Sequence, residues 1–476
     1  MFSSGRLQAV DDATRQICHI LNCFCSSVRL VISFVLRNAF YNLTDEYISE
    51  ACPLRSKTAE SDAILIDSTS DDPLYSNCAW LAVYVALLVV ACYVIYSFVY
   101  QPFWKPIRYC KELTEVGFEH IPGGADKQLR IARAQATRRL GSRIPPPYPN
   151  GWFAVAESCE LKVGGVLAVD ALGQNLCVYR GQDGQARVVD AYCPHLGANL
   201  GVGGSVSGNC IECPFHLWRF NEEGTCVHIP EGEAPKGVSI KTWTCVEADG
   251  AVWIWHDAEK REPHWELTNA PQCDVWTYRG RNEFIISAHI QEIPENGADV
   301  GHLNAVHSSS LIADAAKGFL SEHLGHHVWN ATWAANGDHT ARMILTHDYR
   351  LFGHDFFHVS LNITQNGPGH VRLVMETPIG PFLFSQSVTP LGPLLQRVVH
   401  RLYSPFYNAP AAGILIKSEG KMIERDICIW NSKRFVASPT YVKTDKAIRA
   451  FRTWYSQFYS ENSLSFKDSI QNPLDW

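Results

Sequence analysis

Two short Cys/His pairs constrain this chain more than any other feature. They are Cys193-Pro-His195 and Cys213-Pro-Phe-His216, with seventeen residues between His195 and Cys213. Each pair sits in a stretch punctuated by Gly and Pro, so two loops can close on one centre. Two kinds of centre accept this donor set. Structural zinc takes mixed Cys and His ligands. A [2Fe–2S] cluster of mixed ligation takes two Cys on one iron and two His on the other. The one-residue spacer of the first pair is unusual for a zinc knuckle and favours the cluster. Either centre requires a fold that presents two loops side by side.

The flanking sequence supplies such a fold. Trp152–Ala156, Val166–Val169, Leu176–Tyr179 and Arg187–Val189 read as short strands before the pairs, and Val238–Thr242 and Val252–Trp255 after them. Gly173-Gln, Asp183-Gly and Asp249-Gly mark turns. We expect a small antiparallel β domain over residues 151–258. Gly201-Val-Gly-Gly204 does not open a helix, so its glycines read as turn residues rather than a phosphate loop.

A second run of chemistry lies downstream at Asp299, His302 and His307. Residues five apart on a regular helix point about 140° apart, so His302 and His307 converge on one ion only if the helix is irregular there. Asp299, three before His302, is placed to hydrogen-bond a ligating imidazole. Two His and one carboxylate describe a non-haem iron site with open positions. In a chain with nineteen His, two neighbours by themselves are weak evidence. The region around them, 259–476, reads as an antiparallel sheet with helices packed on it. His323–Trp333, Ala341–Tyr349, His354–Thr364, His370–Glu376 and Leu383–Val388 read as strands. Leu394–Tyr403, Gly413–Glu424 and Lys443–Tyr459 read as helices.

The N-terminal part divides into a poorly ordered segment over 1–76, a membrane helix over 77–104 and a basic linker over 105–150. Ile17–Leu36 is apolar but interrupted by Arg29, which costs about 2.5–3.5 kcal/mol at the centre of a span, so a surface or buried helix is the better reading. Residues 45–72 are acidic and polar. Pro73 to Trp104 carries no charge and is long enough to cross a bilayer, with Trp80, Tyr96, Tyr100 and Trp104 at its ends. Lys105, Arg108 and Lys111 follow at once, which puts the rest of the chain in the cytoplasm and makes Asn42-Leu-Thr44 a lumenal glycosylation candidate. Lys127, Arg130, Arg133, Arg138, Arg139 and Arg143 read as a solvated helix face, with a membrane or redox-partner contact as the alternative. A net charge of −7 excludes nucleic acid as a bulk partner, and sixteen scattered Cys fit a reducing compartment.

Cys-Pro-His-Leu-Gly-Ala-Asn-Leu, Ile-Glu-Cys-Pro-Phe-His-x-Trp and Asp-x-x-His-x-x-x-x-His together resemble the signature of the Rieske non-haem iron oxygenases, from about Gly151 to the C-terminus. Glu-Ile-Pro-Glu-Asn-Gly-Ala-Asp and the late Ala447-Ile-Arg-Ala-Phe-Arg-Thr-Trp-Tyr-Ser-Gln-Phe-Tyr, with the leading apolar run, bring the resemblance closer to the Neverland-type cholesterol 7-desaturases of animals, relatives of bacterial ketosteroid hydroxylases. Leu217 stands where the wider family often has Gly, and Ala198 and Phe215 where respiratory Rieske proteins carry a disulfide.

The resemblance implies an α+β architecture of membrane helix, small Rieske domain and helix-grip catalytic domain. It implies a [2Fe–2S] cluster on Cys193, His195, Cys213 and His216, and a mononuclear Fe(II) on His302, His307 and Asp426, with Glu424 the competing carboxylate. It implies a homotrimer in which Asp299 carries electrons from His195 or His216 of one chain to His302 of the next. The implied reaction is O2-dependent conversion of cholesterol to 7-dehydrocholesterol in steroid hormone biosynthesis, at the endoplasmic reticulum membrane. No stretch reads as a flavin or nicotinamide module, so NAD(P)H electrons are expected through a separate reductase. A sterol or ketosteroid hydroxylase is the same-class alternative, and a membrane-anchored Rieske electron carrier the alternative from another class.

Overall fold

The structure, a computed structural model, describes residues 73–138, 140–141, 143–310 and 325–471. The expectations for Ile17–Leu36, the acidic stretch 45–72, Asn42 and Arg139 lie outside the described residues. The chain falls into two units that meet in sequence between Gln101 and Pro102. The first holds helix α1 (Pro73–Ile95), which runs on through a π-helical turn at Tyr96–Tyr100. Its side chains are described from Val83, and Tyr84, Leu87 and Leu88 among them are exposed. Counting the described residues alone, no helix is long and apolar enough to cross a membrane.

The second unit contains both domains expected from the sequence. The small β domain has three antiparallel sheets. Gly151–Glu157, Cys245–Ala248 and Ala251–His256 form one. Val166–Ala171, Gln174–Arg180, Ala186–Asp190 and Thr242–Trp243 form another. Ser205–Ser207, Cys210–Glu212, Arg219–Phe220 and Cys226–His228 make the small meander from which the second Cys/His loop projects. The strand expected at Val238–Thr242 is reduced to Thr242–Trp243.

The larger domain is built on one eight-stranded sheet. Its strands are β1 (Ile107–Lys111), β2 (Thr277–Ser287), β3 (His326–Ala335), β4 (Thr340–Leu351), β5 (His354–Asn366), β6 (His370–Thr377), β7 (Gly380–Gly392) and β8 (Leu395–Ser404), in the order β1-β2-β8-β7-β6-β5-β4-β3. All neighbours are antiparallel except β1 and β2. The parallel edge requires Gly280, where φ is +131° and a Cβ would sit 1.9 Å from the Ile107 carbonyl oxygen. Period-two alternation decides which side chains meet the interior. Ala341, Met343 and Leu345 are buried along β4, while Arg342 and Ile344 between them are exposed.

Four helices matter to the site. They are α2 (Lys127–Thr137), α3 (Val300–Val306), α4 (Ala409–Trp430) and α5 (Lys446–Tyr455). α4 lies against β2, tied by Asn282 Nδ2 donating to the Ile416 carbonyl at 2.9 Å. Sequence and structure part in three further places. Leu394–Tyr403, read as a helix, is β8: both its faces are buried, so apolar side chains fall at helix-like spacing as well as at every second position. α4 runs on to Trp430, which puts Asp426 inside the helix rather than beyond its end. The stretch read as a basic linker contributes β1 to the sheet, and Arg138, read as solvated, donates to the Ser287 and Asn431 carbonyls at 2.9 and 2.7 Å.

The two domains are fastened by buried charge. Glu157, on the first strand of the small domain, accepts from Arg401 Nε and Nη2 at 2.7 and 2.6 Å. Asp249, at the tip of the last hairpin of that domain, accepts from His370 Nε2, Arg372 Nε and Ser385 Oγ on β6 and β7 at 3.1, 2.6 and 3.0 Å. The sequence marks Asp249 as a turn residue, and its second role had no local signal.

Candidate metal centres

The two Cys/His loops have one backbone design. In the first, Gly197 N–H donates to the Cys193 carbonyl and Cys193 N–H to the Ala198 carbonyl, both at 2.9 Å. In the second, Leu217 N–H donates to the Cys213 carbonyl at 3.1 Å and Cys213 N–H to the Trp218 carbonyl at 2.8 Å. The residue four after each Cys is left-handed: Gly197 at φ +73° and Leu217 at φ +58°. Glycine takes that conformation freely. Leucine takes it at a cost of about 1–2 kcal/mol, so the departure noted in the sequence is a point of strain.

This design buries the thiols of Cys193 and Cys213 and leaves the imidazoles towards the surface. The His195 and His216 rings lie 4.5 Å apart, and Trp218 stacks on His195 at 4.3 Å. Burial, and beyond it the adjacent Cys213 thiol, hold the Cys193 thiol above the usual range. A thiol held in such a setting becomes a thiolate beside a cation. Tetrahedral zinc would draw four donors to within roughly 4 Å of one another. The four loop residues divide instead into two buried thiols and two neighbouring imidazoles towards the surface, the two-Cys, two-His split of a two-iron centre, and a different group of donors closes on one point in the larger domain.

That other group is His302, His307 and Asp426, whose ligand atoms all lie within 4.8 Å of one another. Asp299 N-caps α3, its Oδ1 accepting from His302 N–H at 3.0 Å. The Asp299 carbonyl, not its carboxylate, accepts from His302 Nδ1 at 2.7 Å. The tautomer is therefore fixed by the backbone, a correction to the carboxylate contact expected from spacing, and Nε2 keeps its lone pair. The helix then stops at Val306. His307 leaves it at φ −111°, which overcomes the 140° divergence of a regular helix. His307 Nε2 lies 3.1 Å from both Asp426 oxygens, and His302 Nε2 3.7 Å from Oδ1. Glu424 faces elsewhere, paired with Tyr109 and Lys421. Two imidazole nitrogens and a buried carboxylate turned towards one point match a facial iron(II) site.

Sequence reasoning missed the supports of this group. Arg425, next to Asp426, donates to the Val306 and Ser309 carbonyls at 3.2 and 2.9 Å, clamping the end of α3. Trp329 Nε1 donates to the His307 carbonyl at 3.2 Å. The three donors open onto a cavity of about 550 Å³ between the sheet and α4, walled by side chains such as Leu345, Leu361, Leu373 and Phe382. Its volume is that of a site for a drug-sized apolar ligand.

Comparison with known proteins follows the same division. Residues 151–244 match the Rieske [2Fe-2S] domain, and residues 254–459 match the 3-ketosteroid 9alpha-hydroxylase C-terminal domain. Together they give the architecture of a Rieske oxygenase, with a [2Fe–2S] cluster and a non-haem iron as its cofactors. Cholesterol 7-desaturase nvd of Bombyx mori is 58% identical over 92% of this chain and 99% of its own length. Cholesterol 7-desaturase nvd of Drosophila melanogaster is 42% identical over 68% of this chain and 78% of its own. The Xenopus laevis protein of that name is 38% identical over 84% and 89%. The chain belongs to the cholesterol 7-desaturase nvd family of Rieske oxygenases.

Proposed function

We propose that this protein desaturates cholesterol at C7, with His302, His307 and Asp426 as the ligands of its mononuclear iron and Cys193, His195, Cys213 and His216 as those of its cluster. The observation that carries the reading is the junction of a two-His, one-carboxylate group with a largely apolar cavity of about 550 Å³, in a chain whose animal relatives bear that activity in their names. When bound, the two iron centres supply one-electron transfer and O2 activation. The protein's own part is to hold the sterol, exclude water and fix the imidazoles. Overall, cholesterol, O2, two electrons and two protons give 7-dehydrocholesterol and two waters, the electrons coming from NAD(P)H through a separate reductase.

Electron exit from the cluster towards the mononuclear iron is assigned to the exposed edge of the cluster domain. His195 and His216 are surrounded by exposed apolar side chains, Leu196, Phe215 and Leu217, of the kind a partner covers. The reading follows the family in making that partner a neighbouring copy in a homotrimer, with Asp299 between the cluster His of one chain and His302 of the next. The same reading makes the protein a single-span membrane protein of the endoplasmic reticulum with its catalytic part cytoplasmic. Support comes from the uncharged run 73–104, the basic residues after it, and exposed Ile379 and Ile414 at the cavity lining.

Incubating purified protein with a reductase, NADPH and cholesterol tests the function. The expected product is the conjugated diene, seen by its ultraviolet absorption. A hydroxylated sterol without diene favours the hydroxylase reading, for which the match to the ketosteroid hydroxylase domain speaks.

A further inference from the structure

Apart from His327, His347 and Thr377, the sheet residues that line the cavity are apolar except in one rung. Strand registers align Gln365 (β5), Val371 (β6), Gln386 (β7) and His400 (β8) in a single row across the sheet. All four line the cavity. The next row on one side reads Ile363, Leu373, Phe384 and Leu402, and on the other Val388 faces Val398. Polar groups on such a surface lose hydration without a gain unless they are paired or meet a polar ligand.

Two of them, Gln386 and His400, join a cluster at one end of the row. Glu419 reaches down from α4 to pair with His400 Nδ1, while the Gln386 amide lies 3.2 Å from the same nitrogen. Asn282 Nδ2, next in the row on β2, donates to the second Glu419 oxygen. With Nδ1 engaged by the carboxylate, Nε2 is the ring nitrogen left to accept a proton donor. Glu419 and Asp426 are seven residues apart, two turns of α4, so they share a face with Met422 and Ile423 between them, and all four line the cavity. The separation along the axis is roughly 10 Å at 1.5 Å per residue. That is the reach from a hydroxyl on the A ring of a sterol, across the B ring, to groups flanking an iron. The other imidazole pair in the cavity, His327 and His347, stacks with Trp329 beside His307 and so belongs to the metal end.

We propose that Glu419, His400 and Gln386 form the subsite that takes the A-ring hydroxyl of the sterol and thereby sets which carbon faces His302, His307 and Asp426. The inference rests on the sterol reading of the preceding section and adds the residues that orient the substrate. These are positioning residues. They touch the far end of the substrate and fix its register, while the apolar rows on either side accept the ring faces.

The test pairs equilibrium binding with turnover, using the metal-loaded protein, cholesterol and its 3-deoxy analogue cholest-5-ene. Binding is read by competition with a fluorescent sterol, which needs no reaction. Wild type is expected to prefer cholesterol by roughly 10- to 100-fold, the effect of hydrogen bonds to a polar cluster in an apolar site. In His400→Phe and Gln386→Leu the preference is expected to fall towards one, with KM for cholesterol rising more than kcat falls and diene formation spread to other positions. Retained iron content and cluster spectrum certify each variant. If His400→Phe loses its metals, Gln386→Leu is read by the same criterion. A wild-type protein indifferent to the hydroxyl, or variants with an undiminished preference, would overturn the subsite. Discrimination in binding without any diene from cholesterol would leave the subsite standing and overturn the desaturase reading.

Discussion

Asp426 and Glu424 are two residues apart on one helix, yet they face different neighbours: Asp426 faces His302 and His307, Glu424 faces Tyr109 and Lys421. Asp426→Ala is expected to lose the mononuclear iron and essentially all turnover while the visible spectrum of the cluster is kept. Glu424→Gln is expected to keep both. Metal analysis beside the spectrum decides, and the reverse pattern would move the ligand to Glu424. The sequence made some of this legible. The cluster residues sit in two short motifs, and His302 and His307 are five apart, so their chemistry is local. Asp426 is 119 residues from His307, and nothing in its own neighbourhood distinguishes it from Glu424. Only the resemblance singled it out. The Arg425 clamp had no signal at all, because an arginine beside an aspartate on a helix reads as surface charge.

At the scale of elements, the contacts that hold the small domain to the sheet set an acid limit. Burial raises the Glu157 carboxyl, but Arg401 and then Arg397 outweigh it, so the net position is below the ordinary value of 4.5. A depressed carboxyl contributes stability that is whole above its unfolded value and is lost as pH falls through the folded one. The protein should therefore lose thermal stability below about pH 4.5. Glu157→Gln should melt lower at neutral pH, by about 3–5 kcal/mol for a broken buried pair, and with a shallower acid limb. An unchanged limb would assign the acid limit to other groups. Gly280→Ala is expected to cost about 2–4 kcal/mol, since both its φ and the Ile107 carbonyl oppose a side chain. A melt within 1 °C of wild type would contradict the parallel pairing of β1. These long-range ties were hidden from the sequence, Glu157 and Arg401 being 244 residues apart. β8 was misread for a related reason: a strand buried on both faces loses the alternation that identifies it.

At the scale of the molecule, the proposed delivery of the sterol from a bilayer rests on the rim of the cavity. Ile379 and Ile414 both line the cavity and are more than half exposed, and exposed Trp104 packs edge-on against Phe406. A rim of this kind suits delivery from a bilayer, where a sterol resides. Ile414→Asp with Ile379→Asp should keep both metal centres. It should slow turnover of vesicle-borne cholesterol on the order of 10-fold more than turnover of the detergent-solubilised sterol, a difference read from paired initial rates. Equal slowing in both would place the entry elsewhere.

The mass of the sterol formed by the reconstituted protein in one limiting-turnover incubation separates desaturation from hydroxylation. The expected product is lighter than cholesterol by two hydrogens and is absent in Asp426→Ala. A product heavier by one oxygen, with no diene beside it, would contradict desaturation.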